Sequence, residues 1–367
     1  MKKNRRARRA TLLALALLAA APFGGNAARA AVQAAADATV TTSSENVRKA
    51  FAFIFAAGPR SKKVVRVPFT KQNGLIIVQA TLGDKVLPCV LDTGDPLVRW
   101  PKRLQLAGKA TGIHAMGQDV SGAHAAHEMV LLSRVRIGTY ELTNVPSWAV
   151  RTQKPSPADA AAPPDEGIAG GVWQRYPVLG NVVFEQVALT IDYRKSELIL
   201  RPQRGGIAPA APGTRTLPVQ RVAPVFTGES GAAHGGFLAL AGTVEGRPVK
   251  FLLDTGLPFE TGIVLAPNKR GLLAAEAPRQ EVQAVTGLGQ VSAGRFANVA
   301  WSLNGGAAEK GDVIIPTQFA LLGDGKTSID ALVGAYLLQN YRVTIDYPRA
   351  RVLLEPYAAA TEAATVR

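Results

Sequence analysis

Apolar positions along this chain come in short runs, not at long helical spacing. From residue 64 onward, runs such as LIIVQATL (75–82), VLPCVL (86–91) and FLALAGTV (237–244) are broken at short intervals by Gly, Pro, Asn and Asp. That is the pattern of strands joined by turns, and it predicts a mostly β protein. One stretch differs. Val47, Ala50, Phe51, Ile54 and Phe55 recur at helical spacing, behind a capping box of Thr42 and Glu45 and ahead of the stop at Gly58-Pro59. It predicts an amphipathic helix within an N-terminal segment, 31–63, that precedes the strand-rich body. Two apolar runs end unusually. Cys89-Val90-Leu91 leads straight into Asp92-Thr93-Gly94, and Phe251-Leu252-Leu253 into Asp254-Thr255-Gly256.

These two runs belong to an internal repeat. LIIVQATLGDKVLPCVLDTG (75–94) aligns with FLALAGTVEGRPVKFLLDTG (237–256) at an offset of 162, from 92 to 254. LGNVVFEQVALTIDYRKSELILRP (179–202) aligns with VGAYLLQNYRVTIDYPRARVLLEP (333–356) at an offset of 154, bringing Gly180 onto Gly334. A weaker third match sets MGQDVSG (116–122) against LGQVSAG (288–294). The expected organisation is therefore two similar lobes, 64–202 and 217–367, joined by a linker rich in Pro and Gly at 203–216. A second such tract, 152–166, reads as an exposed loop inside the first lobe.

A carboxylate at the end of a buried strand is costly to ionise alone. Two such loops meeting across a pseudo-twofold axis would bring two carboxyls together. They could not both ionise easily and would share a proton, offering an acid and a base at once. Paired apolar-apolar-Asp-Thr-Gly loops, each followed by apolar-apolar-Gly and a closing strand pair, resemble the aspartic peptidases. The twelve-residue step from Gly180 to Asp192, and from Gly334 to Asp346, is most similar to the bacterial retropepsin-like group, here in tandem as in pepsins. The resemblance implies a bilobed aspartic-peptidase fold, two β-barrel-like lobes around a central cleft. It implies Asp92 and Asp254 as the catalytic pair, Thr93 and Thr255 interlocking the loops, and Gly94 and Gly256 shaping them. Gly180 and Gly334 would let a strand pass close behind. Gly117 and Gln118, with Gly289 and Gln290, would lie in flaps over the cleft. The activity implied is endopeptidase action on a polypeptide substrate, by a monomer, with no cofactor and no metal.

The chain departs from that pattern after each triplet, where Asp95-Pro96 and Leu257-Pro258 stand. Asp95 adds a third carboxylate beside the pair: ionised, it would raise the pair's pKa values, and protonated, it could donate a hydrogen bond to Asp92. No flap tyrosine stands out, and Gly167-Ile168-Ala169-Gly170 is a rival to the element at Gly180. A second reading therefore accompanies the first: a non-catalytic, bilobed peptide-binding protein with a vestigial pair. A third is a scaffold binding envelope polymers through its basic surface.

The remaining features are bland. His124, His127 and Glu128 read as a loop or flap, not a zinc site. Asp192 and Asp346 read as turn-forming, Trp100 as core or cleft wall, and Cys89, the single cysteine, as a small buried hydrophobe. Lys2, Lys3, Arg5, Arg6, Arg8 and Arg9 precede an apolar stretch from Thr11 to Ala21 and an Ala28-Arg29-Ala30 cleavage motif. This predicts a signal peptide over 1–30, weakly twin-arginine in style, hence a periplasmic or secreted protein without a membrane anchor. Losing those residues, with their seven basic side chains, lowers the net charge from +15 to +8 (15 − 7). No aromatic residues interleave with the basic ones, so nucleic acid is not an expected partner.

Overall fold

The structure, a computed structural model, describes residues 63–118, 124–150, 176–202, 211–222, 226–227, 233–234, 236–257, 262–273, 279–285, 290–317 and 329–357. The expected signal peptide, the helix at 42–58, the loop at 152–166, the rival segment 167–170 and the first part of the linker lie outside them. The described residues belong to one compact unit, Ala50–Arg367.

The protein is mostly β. Its first half carries β1 (Val65–Gln72), β2 (Leu75–Leu82), β3 (Lys85–Leu91), β4 (Val98–Pro101), β5 (Gly108–Gln118), β6 (His124–Ile137), β7 (Tyr140–Val150), β8 (Val178–Leu179), β9 (Val187–Asp192) and β10 (Glu197–Pro202). The second carries β11 (Arg215–Pro218), β12 (Gln220–Val222), β13 (Phe226–Thr227), β14 (Ala233–His234), β15 (Phe237–Val244), β16 (Arg247–Asp254), β17 (Ile263–Leu265), β18 (Arg279–Val285), β19 (Gln290–Leu303), β20 (Glu309–Pro316), β21 (Ala331–Gly334), β22 (Tyr341–Asp346) and β23 (Arg351–Pro356). Among the described residues the only α-helix is the single turn α1 (Ala335–Leu338). Arg215 and Thr216, assigned to the linker by composition, open β11, which pairs with β23.

The sequence repeat is a repeat of topology. Strands of the first half lie in the order β1-β2-β3-β8-β4-β7-β6-β5, and those of the second in the order β12-β15-β16-β21-β17-β20-β19-β18. Each half has the same two parallel pairings, β3 with β8 and β4 with β7, then β16 with β21 and β17 with β20. The patterns behind these strands differ by position. In β1, Val65, Val67 and Phe69 are buried and alternate with exposed Arg66, Pro68 and Thr70, as a strand with one wet face requires. Cys89, Val90 and Leu91 in β3, and Phe251, Leu252 and Leu253 in β16, are consecutive and fully buried. A strand covered on both faces beside a parallel partner needs such an unbroken apolar run.

The halves join through β9 and β22. Thr190 pairs with Thr344, Leu189 with Ile345 and Ile191 with Val343. Each residue opposes its own repeat equivalent or that residue's symmetric neighbour, so a local twofold passes between the two threonines, whose hydroxyls are 2.8 Å apart. One face of this junction is apolar (Leu189, Ile191, Val343 and Ile345, all fully buried). The other carries ion pairs. Arg342 bridges Asp192 at 3.6 Å and Glu355 at 3.3 Å, and Arg351 and Arg349 reach Asp346 at 2.9 and 3.3 Å. Asp192 does serve its turn, accepting from the Lys195 N–H at 3.1 Å. Asp346 does more than form a turn: it is completely buried and neutralises two arginines.

The symmetry fails at one buried pair. The Tyr347 hydroxyl donates to Asn181 Oδ1 at 2.8 Å. Its repeat equivalent is Tyr193, and the equivalent of Asn181 is Ala335, which offers no acceptor. The Tyr193 hydroxyl is buried without a hydrogen-bond partner among the described residues. Tyr347→Phe is therefore expected to cost about 1–2 kcal/mol, because it strands the Asn181 oxygen, while Tyr193→Phe is neutral or slightly stabilising. Urea unfolding of the two variants would reveal equal losses if this asymmetry carried no energy.

Candidate active site

Two equivalent strand ends build the site. β3 runs beside β8, and the Asp92 N–H donates to Leu179 O at 3.1 Å just beyond the last strand pair. β16 runs beside β21 and ends with Asp254 opposite Gly334. Each carboxylate thus sits where an apolar strand emerges from the core. The chain then turns, with the Asp95 N–H donating to Asp92 O and the Leu257 N–H to Asp254 O, both at 3.3 Å.

The glycines clear the space this requires. A Cβ on Gly94 would lie 2.5 Å from the Asp254 carboxyl carbon, and one on Gly256 would lie 2.3 Å from that of Asp92. Each loop therefore makes room for the other's carboxyl group. Behind them, a Cβ on Gly180 would sit 2.1 Å from Leu97 O and 2.5 Å from Asp95 O. On Gly334 it would sit 2.8 Å from the Leu257 Cβ.

The threonines tie the loops reciprocally. The Thr93 N–H donates to Thr255 Oγ1 at 3.0 Å, and the Thr255 N–H donates to Thr93 Oγ1 at 3.0 Å. Each hydroxyl then donates across to the other half, Thr93 to Leu253 O at 2.8 Å and Thr255 to Leu91 O at 3.1 Å. Both threonines are almost wholly buried, so losing any one of these bonds would strand a polar group.

The carboxyl groups of Asp92 and Asp254 hydrogen-bond to each other. Each also accepts from the glycine N–H two residues on, Gly94 at 2.7 Å and Gly256 at 2.9 Å. Burial, first of all, pushes Asp92 well above the usual carboxylate range, and the charges of Asp254 and Asp95 add to it while Arg99 opposes. Burial also pushes Asp254 up, to about 6, against the hydrogen bonds from Asp92 and the Gly256 N–H. The two carboxyls titrate as a coupled pair, so the raised values belong to the pair, which holds one proton between them.

A raised carboxyl pKa has a consequence for stability. Between the unfolded value and about 6, the folded protein holds a proton that the unfolded chain releases. Stability contributed by Asp254 is thus present below the unfolded pKa and lost as pH rises through the folded one. Asp254→Asn removes the penalty, so its Tm is expected to exceed the parent's by several degrees at pH 7 and to approach it at pH 4. Thermal melts that showed the same difference at both pH values would refute this.

The structure brings Asp92, Thr93, Gly94, Asp95 and Gly180 together with Asp254, Thr255, Gly256 and Gly334. Asp95 lies beside the pair and its charge acts to raise both carboxyls, as expected of an ionised third carboxylate, while its own oxygens are occupied elsewhere. Its Oδ2 accepts from Arg99 Nε at 2.7 Å and its Oδ1 from the Leu97 N–H at 3.2 Å. Gly117 and Gln118 lie on the β5–β6 hairpin, opposite Ala125 and His124. Gln290 opens β19 opposite Val285. Gly289 and the β5–β6 tip, 119–123, lie outside the described residues. Glu128 pairs with Lys102, and the half-buried His127 packs on Trp148 with ring centroids 5.7 Å apart. Trp100 is buried, with its indole N–H on Ser147 Oγ at 3.0 Å.

Two contributors were not legible beforehand. Arg99 is one: it stands four residues on from Asp95 at the start of a short strand, and no motif marks it as the partner of that carboxylate. Asn181 is the other. Its amide donates to Thr93 O and to Gly236 O, both at 2.9 Å, and its N–H donates to Asp95 O at 2.9 Å. Its place directly after Gly180, where the repeat has Ala335, was the one available signal.

No family model matches this chain, and no curated protein matches it. Among solved structures, it is similar to the crystal structure of basic 7S globulin from soybean, with a TM-score of 0.48 and 11% identity, over 80% of this chain and 95% of that one. These findings correct the resemblance to bacterial retropepsin-like and pepsin-like peptidases: none of the comparisons shows that family. The physical reason lies in the motif. An apolar strand, an Asp, a Thr that locks two loops and a Gly that clears a carboxyl are demanded locally by this geometry, and so few residues identify no lineage.

Proposed function

We propose that this protein is an endopeptidase of aspartic type, hydrolysing peptide bonds with water activated by Asp92 and Asp254. The observation that carries the reading is the pair itself: two buried carboxyls on symmetric loops, coupled to each other and both raised, so that they can share one proton. In this mechanism ionised Asp254 takes a proton from the water as its oxygen attacks the peptide carbonyl carbon. Asp92 gives its proton to the carbonyl oxygen. The tetrahedral species collapses as the departing nitrogen takes a proton from Asp254 and the gem-diol returns one to Asp92. The reaction needs no cofactor and forms no acyl-enzyme. The two similar halves are proposed as lobes around a central cleft with the pair at its floor and the hairpins bearing Gly117, Gln118 and Gln290 over it. The substrate is a polypeptide, the protein acts as a monomer, and its leader directs it to the periplasm or medium. Among the described residues no helix is long and apolar enough to cross a membrane.

The test is incubation of the purified protein with a denatured protein and a diverse peptide mixture from pH 3 to pH 8, with products read by mass spectrometry. Because the base must be ionised, and Asp254 is held up to about 6, cleavage is expected to rise through pH 6 instead of peaking in strong acid. Folded protein that binds peptides and cleaves none at any pH would be a peptide-binding protein.

A further inference from the structure

The two loops are alike in backbone and unlike in charge. After Gly256 comes Leu257, almost fully buried; after Gly94 comes Asp95, 8% exposed. A bare carboxylate so close would crowd negative charge onto the site. It is answered by Arg99, whose Nε lies 2.7 Å from Asp95 Oδ2, with the side chains only 19% and 10% exposed. The pair is rigidly mounted. Asp95 Oδ1 takes the Leu97 N–H at 3.2 Å, and its carbonyl takes the Asn181 N–H at 2.9 Å. Arg99 lies in β4, held against Trp148 of β7 and Val178 of β8.

Resting on the proposed peptidase reading, we propose that Arg99, through its part-buried ion pair with Asp95, is a positioning residue that sets the pH window in which the Asp92–Asp254 pair works. Both members of the ion pair act on Asp92, in opposite senses, and Asp95 also acts on Asp254. Other groups near this cluster come from neighbouring segments. His127 of β6 feels both Arg99 and Asp95, and burial, then Arg99, lowers it to about 4, so it is neutral through the working range. Tyr347 approaches Asp92 from beyond β22, and Glu185, paired with Arg221, lies next to it. Of these, only Asp95 and Arg99 combine fixed opposite charges with direct influence on the pair.

The test is the pH profile of peptide cleavage by four full-length variants. Arg99→Gln leaves Asp95 unbalanced, which favours the protonated carboxyls, so both limbs move to higher pH by about one unit. Asp95→Asn removes the negative charge that raises both carboxyls and moves both limbs lower by a similar amount. The double variant returns close to the parent, and Arg99→Lys keeps the parent's window. A residue that merely supported the loop would lower the rate without moving the limbs in opposite directions, and that outcome would overturn the proposal. So would limbs that follow His127→Gln. If the protein cleaves nothing, the peptidase reading fails separately. Carboxyl carbon-13 NMR titration of Asp92 and Asp254, assigned with Asp92→Asn and Asp254→Asn, then reads the same opposed shifts without catalysis, and unmoved titrations would sink the proposal alone.

Discussion

Asparagine in place of either Asp92 or Asp254 is expected to lower peptide cleavage by about a hundredfold to ten-thousandfold, with the fold retained. Asparagine is nearly isosteric, and its oxygen can still accept from the Gly94 or Gly256 N–H that now holds the carboxylate at 2.7 or 2.9 Å. Its amide can still donate to the remaining carboxylate. What it cannot do is exchange a proton, so either substitution removes half of a base-and-acid couple. Because the two groups act as one unit, the double variant should be little worse than either single one. Rates measured under single-turnover conditions, with circular dichroism to verify folding, decide the matter. A single variant that kept most of the activity would show that the carboxyls do not work together.

The second large effect concerns packing. Gly180→Ala is expected to destabilise the protein by about 3 kcal/mol and to depress activity with it. The backbone there, at φ −89° and ψ −176°, is open to any residue, so conformation is not the obstacle. Space is. The added methyl would lie 2.1 Å from Leu97 O and 2.5 Å from Asp95 O, and these are backbone atoms of the loop that carries Asp92. They cannot rotate away as a side-chain tip could. Relief requires the loop to move, which disturbs Asp92 and the Asn181 bond to Asp95 O together. Gly271→Ala is the control, since a Cβ there meets nothing within 4 Å. Chemical unfolding of both variants should separate them clearly. Similar stabilities would mean that the loop behind Asp92 yields cheaply.

Much of this architecture could be read from the chain alone, because it is written in local patterns. Continuous apolar runs at 89–91 and 251–253 mark strands buried on both faces, and the alternation in β1 marks one that is not. The repeat places Asp92 and Asp254, and Gly180 and Gly334, at equivalent points, and the fold gives each half the same strand order. The resemblance drawn from those same short motifs did not stand, since motifs dictated by local geometry do not establish descent.

Charge balance and cross-half contacts were decided only in three dimensions. Sequence shows Asp95 as an extra carboxylate, yet the turn through Pro96 and Leu97 returns the chain so that Arg99 neutralises it. Sequence shows Asn181 as one polar residue in an apolar run, yet it joins Thr93, Asp95, Gly236 and Tyr347. It also assigns Arg215 and Thr216 to a linker that tertiary pairing makes a strand. The physical reason is common to all three. Hydrophobic periodicity is a property of neighbours along the chain, whereas the partner of a buried charge or amide is whichever group folding brings within reach, here from as far as 166 residues away.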